Sequence, residues 1–162
     1  MKDLFLMRHG KSSWELNVND QDRALSQRGV FDAHLIGSKF AEQNLKIEYA
    51  FSSPANRALH TASICLQELG HSFGKFSISP ELYDFSGNQV LNFIKNIGNS
   101  IDTVIIFGHN HAFTHLANML GDRHITNVPT SGLVHLRFNE TTWQNITKGN
   151  TVQTIFPKQF KE

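Results

Sequence analysis

Two short uninterrupted apolar runs, Leu4-Phe5-Leu6-Met7 and Val104-Ile105-Ile106-Phe107, constrain this chain more than anything else in it. Each stops abruptly, one at Arg8-His9-Gly10 and the other at Gly108-His109-Asn110. A strand with one face in water alternates apolar and polar residues. A strand that is apolar throughout needs cover on both faces, the usual state in a parallel sheet. Ile47 to Phe51 and Phe76 to Ile78 are weaker strand candidates.

Helical periodicity fills the gaps. After Ser26, a fitting N-cap, Val30, Ala33, Ile36, Gly37, Phe40 and Ala41 form one apolar stripe. A second helix is expected to open at Ser53-Pro54 with Pro54 in the first helical position; Ala58, Leu59, Ala62, Cys65, Leu66 and Leu69 form its core face, and Gly70 ends it. Phe113, Leu116, Ala117 and Leu120 repeat the pattern up to Gly121, and another helix is expected from about Asn88 to Ile97. Near the end, Val134, Leu136 and Phe138 alternate with His135 and Arg137, and Asn139-Glu140 leads into Thr141-Thr142-Trp143, which reads as an antiparallel hairpin. The expected fold is therefore α/β and three-layered, with a mostly parallel central sheet, helices on both faces and a C-terminal antiparallel hairpin.

Composition narrows the function classes. A length of 162 residues predicts a single domain over 1–162, large enough to bury a core without disulfides or a structural metal. Fifteen basic against 14 acidic residues argue against a nucleic-acid partner held by bulk charge. The lone Cys65 rules out an internal disulfide or a four-cysteine zinc site, and it falls on an apolar helical stripe as a core residue. No apolar run reaches the roughly 20 residues that span a bilayer, and the run after Met1 is too short for a secretion signal. A cytoplasmic chain without a membrane partner is expected.

In open α/β sheets, ligands bind beyond the carboxyl ends of the strands. That rule singles out Arg8-His9-Gly10, Ser52-Ser53 and Gly108-His109-Asn110. Arg8 and Arg57 can each make forked, charge-assisted bonds to phosphate or carboxylate oxygens, and His9 and His109 can serve as nucleophile, base or donor near neutrality. Arg57 also falls in the first turn after Pro54, where free N–H groups and the helix dipole favour an anion. Two arginines and two histidines at adjacent strand ends would form a cationic pocket suited to phosphoryl transfer.

The strings themselves are more specific. Leu6-Met7-Arg8-His9-Gly10 resembles the Arg-His-Gly signature of the histidine phosphatase superfamily, whose fold is that of phosphoglycerate mutase. Ser52-Ser53-Pro54-Ala55-Asn56-Arg57-Ala58-Leu59-His60-Thr61 resembles its second signature, and Phe107-Gly108-His109-Asn110 its third. The short length, Lys11-Ser12-Ser13-Trp14 and the segment from Asp22 to Gly29 are similar to the SixA-type phosphohistidine phosphatases. The resemblance implies that His9 is the nucleophile and becomes phosphohistidine, and that Arg8, Arg57 and His109 hold and neutralise the group. It implies no metal and no cofactor, because the arginines and His109 supply the charge stabilisation.

The general acid is less plainly marked. Many members carry a Glu after the third strand; here Glu81-Leu82-Tyr83-Asp84 puts Asp84 in that position, with Glu81 nearby. Asp84 is thus the expected acid, and its alternative is a turn or helix-start residue before Ser86-Gly87. Glu15 stands where phosphoglycerate mutases have Asn, which weakens a mutase reading. Lys11 and Ser12, beside the nucleophile, are candidates to bind substrate. His109, His111 and His115 have a superficially metal-like spacing, but no carboxylate follows as in metallohydrolases. Arg28 and Lys39 read as solvated helix positions. The favoured partner is a protein carrying phosphohistidine. A small phosphomonoester, a phospho-binding module without turnover and a metallohydrolase are the alternatives.

Overall fold

The computed structural model describes residues 1–161. Six strands, β1 (Lys2–Arg8), β2 (Tyr49–Ser52), β3 (Phe76–Ile78), β4 (Thr103–Gly108), β5 (Leu133–Phe138) and β6 (Asn150–Ile155), form one sheet in the order β3-β2-β4-β1-β5-β6. The first four are mutually parallel, β5 runs antiparallel to β1, and β6 runs antiparallel to β5. Four helices, α1 (Gln27–Ala41), α2 (Asn56–Leu69), α3 (Asn88–Lys95) and α4 (Ala112–Leu120), cover the sheet.

The two apolar runs lie side by side as β1 and β4, with Leu4 opposite Val104 and Arg8 opposite Gly108. Their period of two splits each run between the faces. Phe5, Met7, Ile105 and Phe107 pack with Ile36 and Phe40 of α1 and Cys65 and Leu66 of α2. Leu4, Leu6, Val104 and Ile106 pack with Ile94 of α3 and Phe113 and Leu116 of α4. Both faces are buried, so neither run could alternate.

The helix signals resolve with small shifts. Ser26 caps α1 by accepting from the Gly29 N–H, and Gly70 closes α2 in the left-handed conformation at φ 67°. α2 starts at Asn56 rather than Pro54, because the Ser53 hydroxyl accepts the Ala55 N–H and closes a turn over Ser53 to Ala55 that leaves Ala55 extended ahead of the helix. The C-terminal hairpin forms, but its second strand is Asn150–Ile155 and not Thr141 to Trp143. Trp143 is drawn into the core instead: its indole N–H donates to the Ile101 carbonyl at 2.7 Å, and the buried Lys2 ammonium lies 5.6 Å from its ring. Among the described residues no helix is long and apolar enough to cross a membrane.

Candidate active site

β2, β4 and β1 are adjacent and parallel, so the chain leaves all three at one end of the sheet. The His9 N–H donates to the Gly108 carbonyl and the Ser53 N–H to the Phe107 carbonyl, each at 3.0 Å. The Ser131 N–H lies 3.1 Å from both the Arg8 and His9 carbonyls and pins that turn from the β5 side. Gly10 is needed where the turn passes α1, since a Cβ there would meet the Gly29 carbonyl at 2.9 Å. The Gly10 N–H donates to the Thr61 hydroxyl at 2.9 Å, and that hydroxyl donates to the Arg57 carbonyl at 2.7 Å. The first two signatures are thereby wired together.

His9 is 8% exposed, and its Nδ1 lies 2.7 Å from the Gly10 carbonyl. A carbonyl only accepts, so Nδ1 carries the proton and Nε2 presents a lone pair. The Arg57 Nε–H points at that lone pair from 3.3 Å. Burial, assisted by Arg57 and Arg8, pushes the His9 pKa down to about 4, against the opposing pull of the Gly10 carbonyl. The ring is neutral at pH 7, with its Nε2 lone pair turned toward Arg57.

The His109 ring centroid lies 5.2 Å from that of His9, and its Nε2 is 2.8 Å from the Ser53 hydroxyl. That hydroxyl accepts from the Ala55 N–H and has one hydrogen of its own to give. If it is given to Nε2, the proton of His109 sits on Nδ1, a buried atom with no protein partner. Burial, then His9 and Arg57, lower the His109 pKa to about 3. Tyr83 and Phe85 wall the ring, with centroids at 5.3 and 4.9 Å.

Arg8 gives one Nη1 hydrogen to the Val128 carbonyl at 2.9 Å and keeps a buried Nε without a partner. Burial, and secondarily Arg57, lower its pKa. Arg57 is 3% exposed and is held by Asp20: Nη1 donates to the Asp20 carbonyl at 2.6 Å and Nη2 to its carboxylate at 2.9 Å. Arg23 and the Tyr83 hydroxyl donate to the same carboxylate at 3.2 and 2.6 Å. Burial opposes its ionisation, but these bonds prevail and lower its pKa to about 2. Arg23 also lies against the exposed Trp14, its guanidinium carbon 3.2 Å from the ring centroid.

The structure brings Arg8, His9, Arg57 and His109 together. Asp84 has a different position. Its Oδ1 accepts from the Ser86 N–H and hydroxyl, and its Oδ2 from the N–H groups of Gly87, Gln89 and Val90, all at 3.0–3.1 Å. Burial would raise its pKa, but these donors win and lower it. These contacts make Asp84 the cap at the start of α3, and none of them is to Arg8, His9, Arg57 or His109. Glu81 is exposed. The Lys11 side chain is exposed, and the Ser12 hydroxyl accepts from Arg23; among the described residues neither bonds to His9, Arg8, Arg57 or His109.

His111 and His115 are exposed on the α4 side, and the described residues contain no group of three or more His, Cys, Asp or Glu arranged to hold a metal. Cys65 is buried, and Arg28 and Lys39 pair with Asp32 and Glu42 on α1 and just past its end. Asp20, Ser53, Tyr83 and Phe85 are the residues that sequence reasoning did not assign. Ser53 stood in the second signature and Tyr83 in the Glu81-Leu82-Tyr83-Asp84 segment.

The profile of the histidine phosphatase superfamily (branch 1) matches residues 4–90, more than half of the chain. The chain belongs to the histidine phosphatase superfamily. Within reach of this superfamily's sequences, it is 40% identical over 73 residues to 2,3-bisphosphoglycerate-dependent phosphoglycerate mutase 2 of Lactiplantibacillus plantarum, covering 42% of this chain and 31% of the mutase. It thus spans about a third of that relative's length. An uncharacterized protein of Mycobacterium tuberculosis is 27% identical over 143 residues, covering 81% of this chain and 86% of its own. Among solved structures, the protein histidine phosphatase SixA complexed with tungstate superposes with a TM-score of 0.83 at 21% identity, covering 98% of this chain and 99% of its own. A mycobacterial glucosyl-3-phosphoglycerate phosphatase gives 0.70 at 12% identity, covering 94% and 98%. These likenesses establish a shared fold.

Proposed function

We propose that this member of the superfamily is a metal-independent phosphatase that carries the phosphoryl group on His9, and that its substrate is phosphohistidine on a protein. The reading rests on one observation: a neutral His9 Nε2 faces the Arg57 N–H beside the unpartnered Nε of Arg8 and Nδ1 of His109. The lone pair attacks phosphorus while the surrounding N–H groups hold the equatorial oxygens. The N–P bond to the leaving group breaks, and its electron pair departs with that group. Water then displaces the phosphoryl group from Nε2, returning the electron pair to His9. Tungstate is a tetrahedral oxyanion, and its presence in the SixA complex of the same fold supports an oxyanion site here.

The substrate class follows from the acids. Asp84 is spent on backbone donors, and Asp20 is held ionised. A pocket without a proton donor disfavours alkoxide leaving groups and suits a phosphoramidate, whose ring can leave already protonated. Turnover in chelator should therefore favour a phosphohistidine protein over sugar and nucleotide phosphates. Rapid quenching should trap an acid-labile, base-stable adduct on His9 that His9→Ala removes. An adduct elsewhere, or a chelated inactive enzyme restored by Zn²⁺, would overturn the assignment.

A further inference from the structure

We propose that Asp20 is the specificity-determining residue of this site: its carboxylate accepts the N–H of the departing imidazole and so selects a phosphorylated imidazole over a phosphate ester. The inference rests on the phosphohistidine reading above and goes beyond it by naming the residue that enforces it.

The placement of Asp20 is otherwise hard to understand. A site that must hold a phosphoryl group gains from every uncompensated positive charge, yet here a carboxylate lies 2.9 Å from the central arginine. It weakens the attraction of Arg57 for an anion. If its task were only to fix the guanidinium, a neutral acceptor would do so without that loss. Three of the five N–H groups of Arg57 go to His9 and Asp20, which leaves two for phosphoryl oxygens. Arginine and carboxylate can therefore both serve one substrate, the first at its phosphorus end.

The second end is defined by the rim. The Asp20 side chain remains 46% exposed despite its bonds to Arg57, Arg23 and Tyr83, so it is open to solvent while bound to the same guanidinium that touches His9. Tyr83, which donates to Asp20, stands edge-on to Phe85 at 5.2 Å, and Phe85 is itself 45% exposed. The exposed ring of Phe85, braced by Tyr83, offers an aromatic surface against which a second imidazole can lie.

The chemistry of phosphohistidine needs such an acceptor. As His9 Nε2 forms its bond to phosphorus, the substrate's N–P bond breaks and its electron pair falls on the ring nitrogen. If the distal nitrogen carries a proton, the ring leaves as neutral imidazole; if not, it must leave as imidazolate, a far stronger base. A carboxylate holding that distal N–H stabilises the cationic ring before the bond breaks. The same device is present on the enzyme side, where Nδ1–H of His9 is held by the Gly10 carbonyl and keeps its proton while Nε2 gains and loses the phosphoryl group. An aryl or alkyl ester has no distal N–H and gains nothing from Asp20.

The test compares kcat/KM for a phosphohistidine peptide and for para-nitrophenyl phosphate, in the wild type and in Asp20→Asn. Asparagine keeps an acceptor oxygen for Arg57, and any loosening of Arg57 affects both substrates and cancels in their ratio. The ratio should fall about 10- to 100-fold, the scale of a hydrogen bond to a charged group. Tyr83→Phe, which retains the carboxylate, should preserve it. Equal losses for both substrates in Asp20→Asn, or an equal fall of the ratio in Tyr83→Phe, would overturn the role of Asp20 while leaving the phosphohistidine reading intact. A wild type that hydrolyses para-nitrophenyl phosphate and not the peptide would sink that reading, and this inference with it.

Discussion

Arg57 directs its Nε–H at Nε2 of His9 across 3.3 Å, while Nδ1 of the same ring gives its proton to Gly10. A donor on one side and an acceptor on the other fix a single tautomer, with the Nε2 lone pair held on the Arg57 side.

The first consequence is a displaced acid limb. Because burial chiefly holds His9 down to about 4, kcat/KM for an aryl phosphate, corrected for substrate ionisation, should stay level through pH 6.5 and fall only as the pH nears 4. Stability follows the same sign: an unfolded histidine takes its proton near pH 6.5, so the folded state loses ground as the pH drops from there and levels off below about 4. Urea titrations at fixed pH should show this decline, and His9→Gln should reduce it while leaving the share of His109, whose pKa burial also lowers, to about 3. An activity profile that breaks near 6.5 would contradict the buried, neutral ring.

Arg57 makes three directed bonds, to His9, to the Asp20 carbonyl and to its carboxylate. Arg57→Ala should lower kcat/KM about 10²-fold or more, the scale of losing a preorganised donor. Arg57→Lys should recover little of it, because an ammonium cannot reproduce the planar fork. Steady-state kinetics under chelation would measure both, and a loss below about tenfold would count against the electrostatic role.

Asp84 gives a contrasting expectation. Losing its acceptance of the Gly87, Gln89 and Val90 N–H groups should destabilise the start of α3. Asp84→Ala should cost about 1–3 kcal/mol in chemical denaturation. The relative rates on alkyl and aryl phosphates should hold steady in that variant. A selective collapse on alkyl phosphates with stability retained would restore Asp84 as an acid.

Ser53 carries a subtler prediction. If its hydroxyl fixes the proton on Nδ1 of His109, Ser53→Ala should reduce kcat/KM about 3- to 10-fold, the worth of one neutral hydrogen bond. Nitrogen chemical shifts of His109 should then show a mixture of tautomers in place of one. An unchanged single Nδ1–H form would assign the tautomer to something other than Ser53.

How much of this was legible in the sequence depended on how each residue is specified. β1 and β4 could be read because both of their faces are covered, which forces uninterrupted apolar runs. His9, Ser53 and His109 could be placed because they follow adjacent parallel strands. β6 was misplaced because Asn150–Ile155 is a polar edge strand paired on one side, whereas Thr141 to Trp143 has strand-like residues and one large ring that the core claims. Asp84 could not be resolved from its position alone, since the start of a helix and a proton-donating loop both suit a carboxylate. Asp20 lies in a short turn between β1 and α1, where no periodicity applies, and only its contacts with Arg57, Arg23 and Tyr83 give it meaning.

The stack of Arg23 on Trp14 turns the pocket into an optical instrument. Of the chain's two indoles, Trp143 is sealed from solvent and bonded to the Ile101 carbonyl in the core, while Trp14 is 76% exposed against a guanidinium that also grips Asp20. An oxyanion that draws on Arg57 shifts the charge balance of Asp20 and Arg23, and the emission of Trp14 should register it. Occupancy of the site then becomes visible without any label, against a fixed internal reference provided by the other indole.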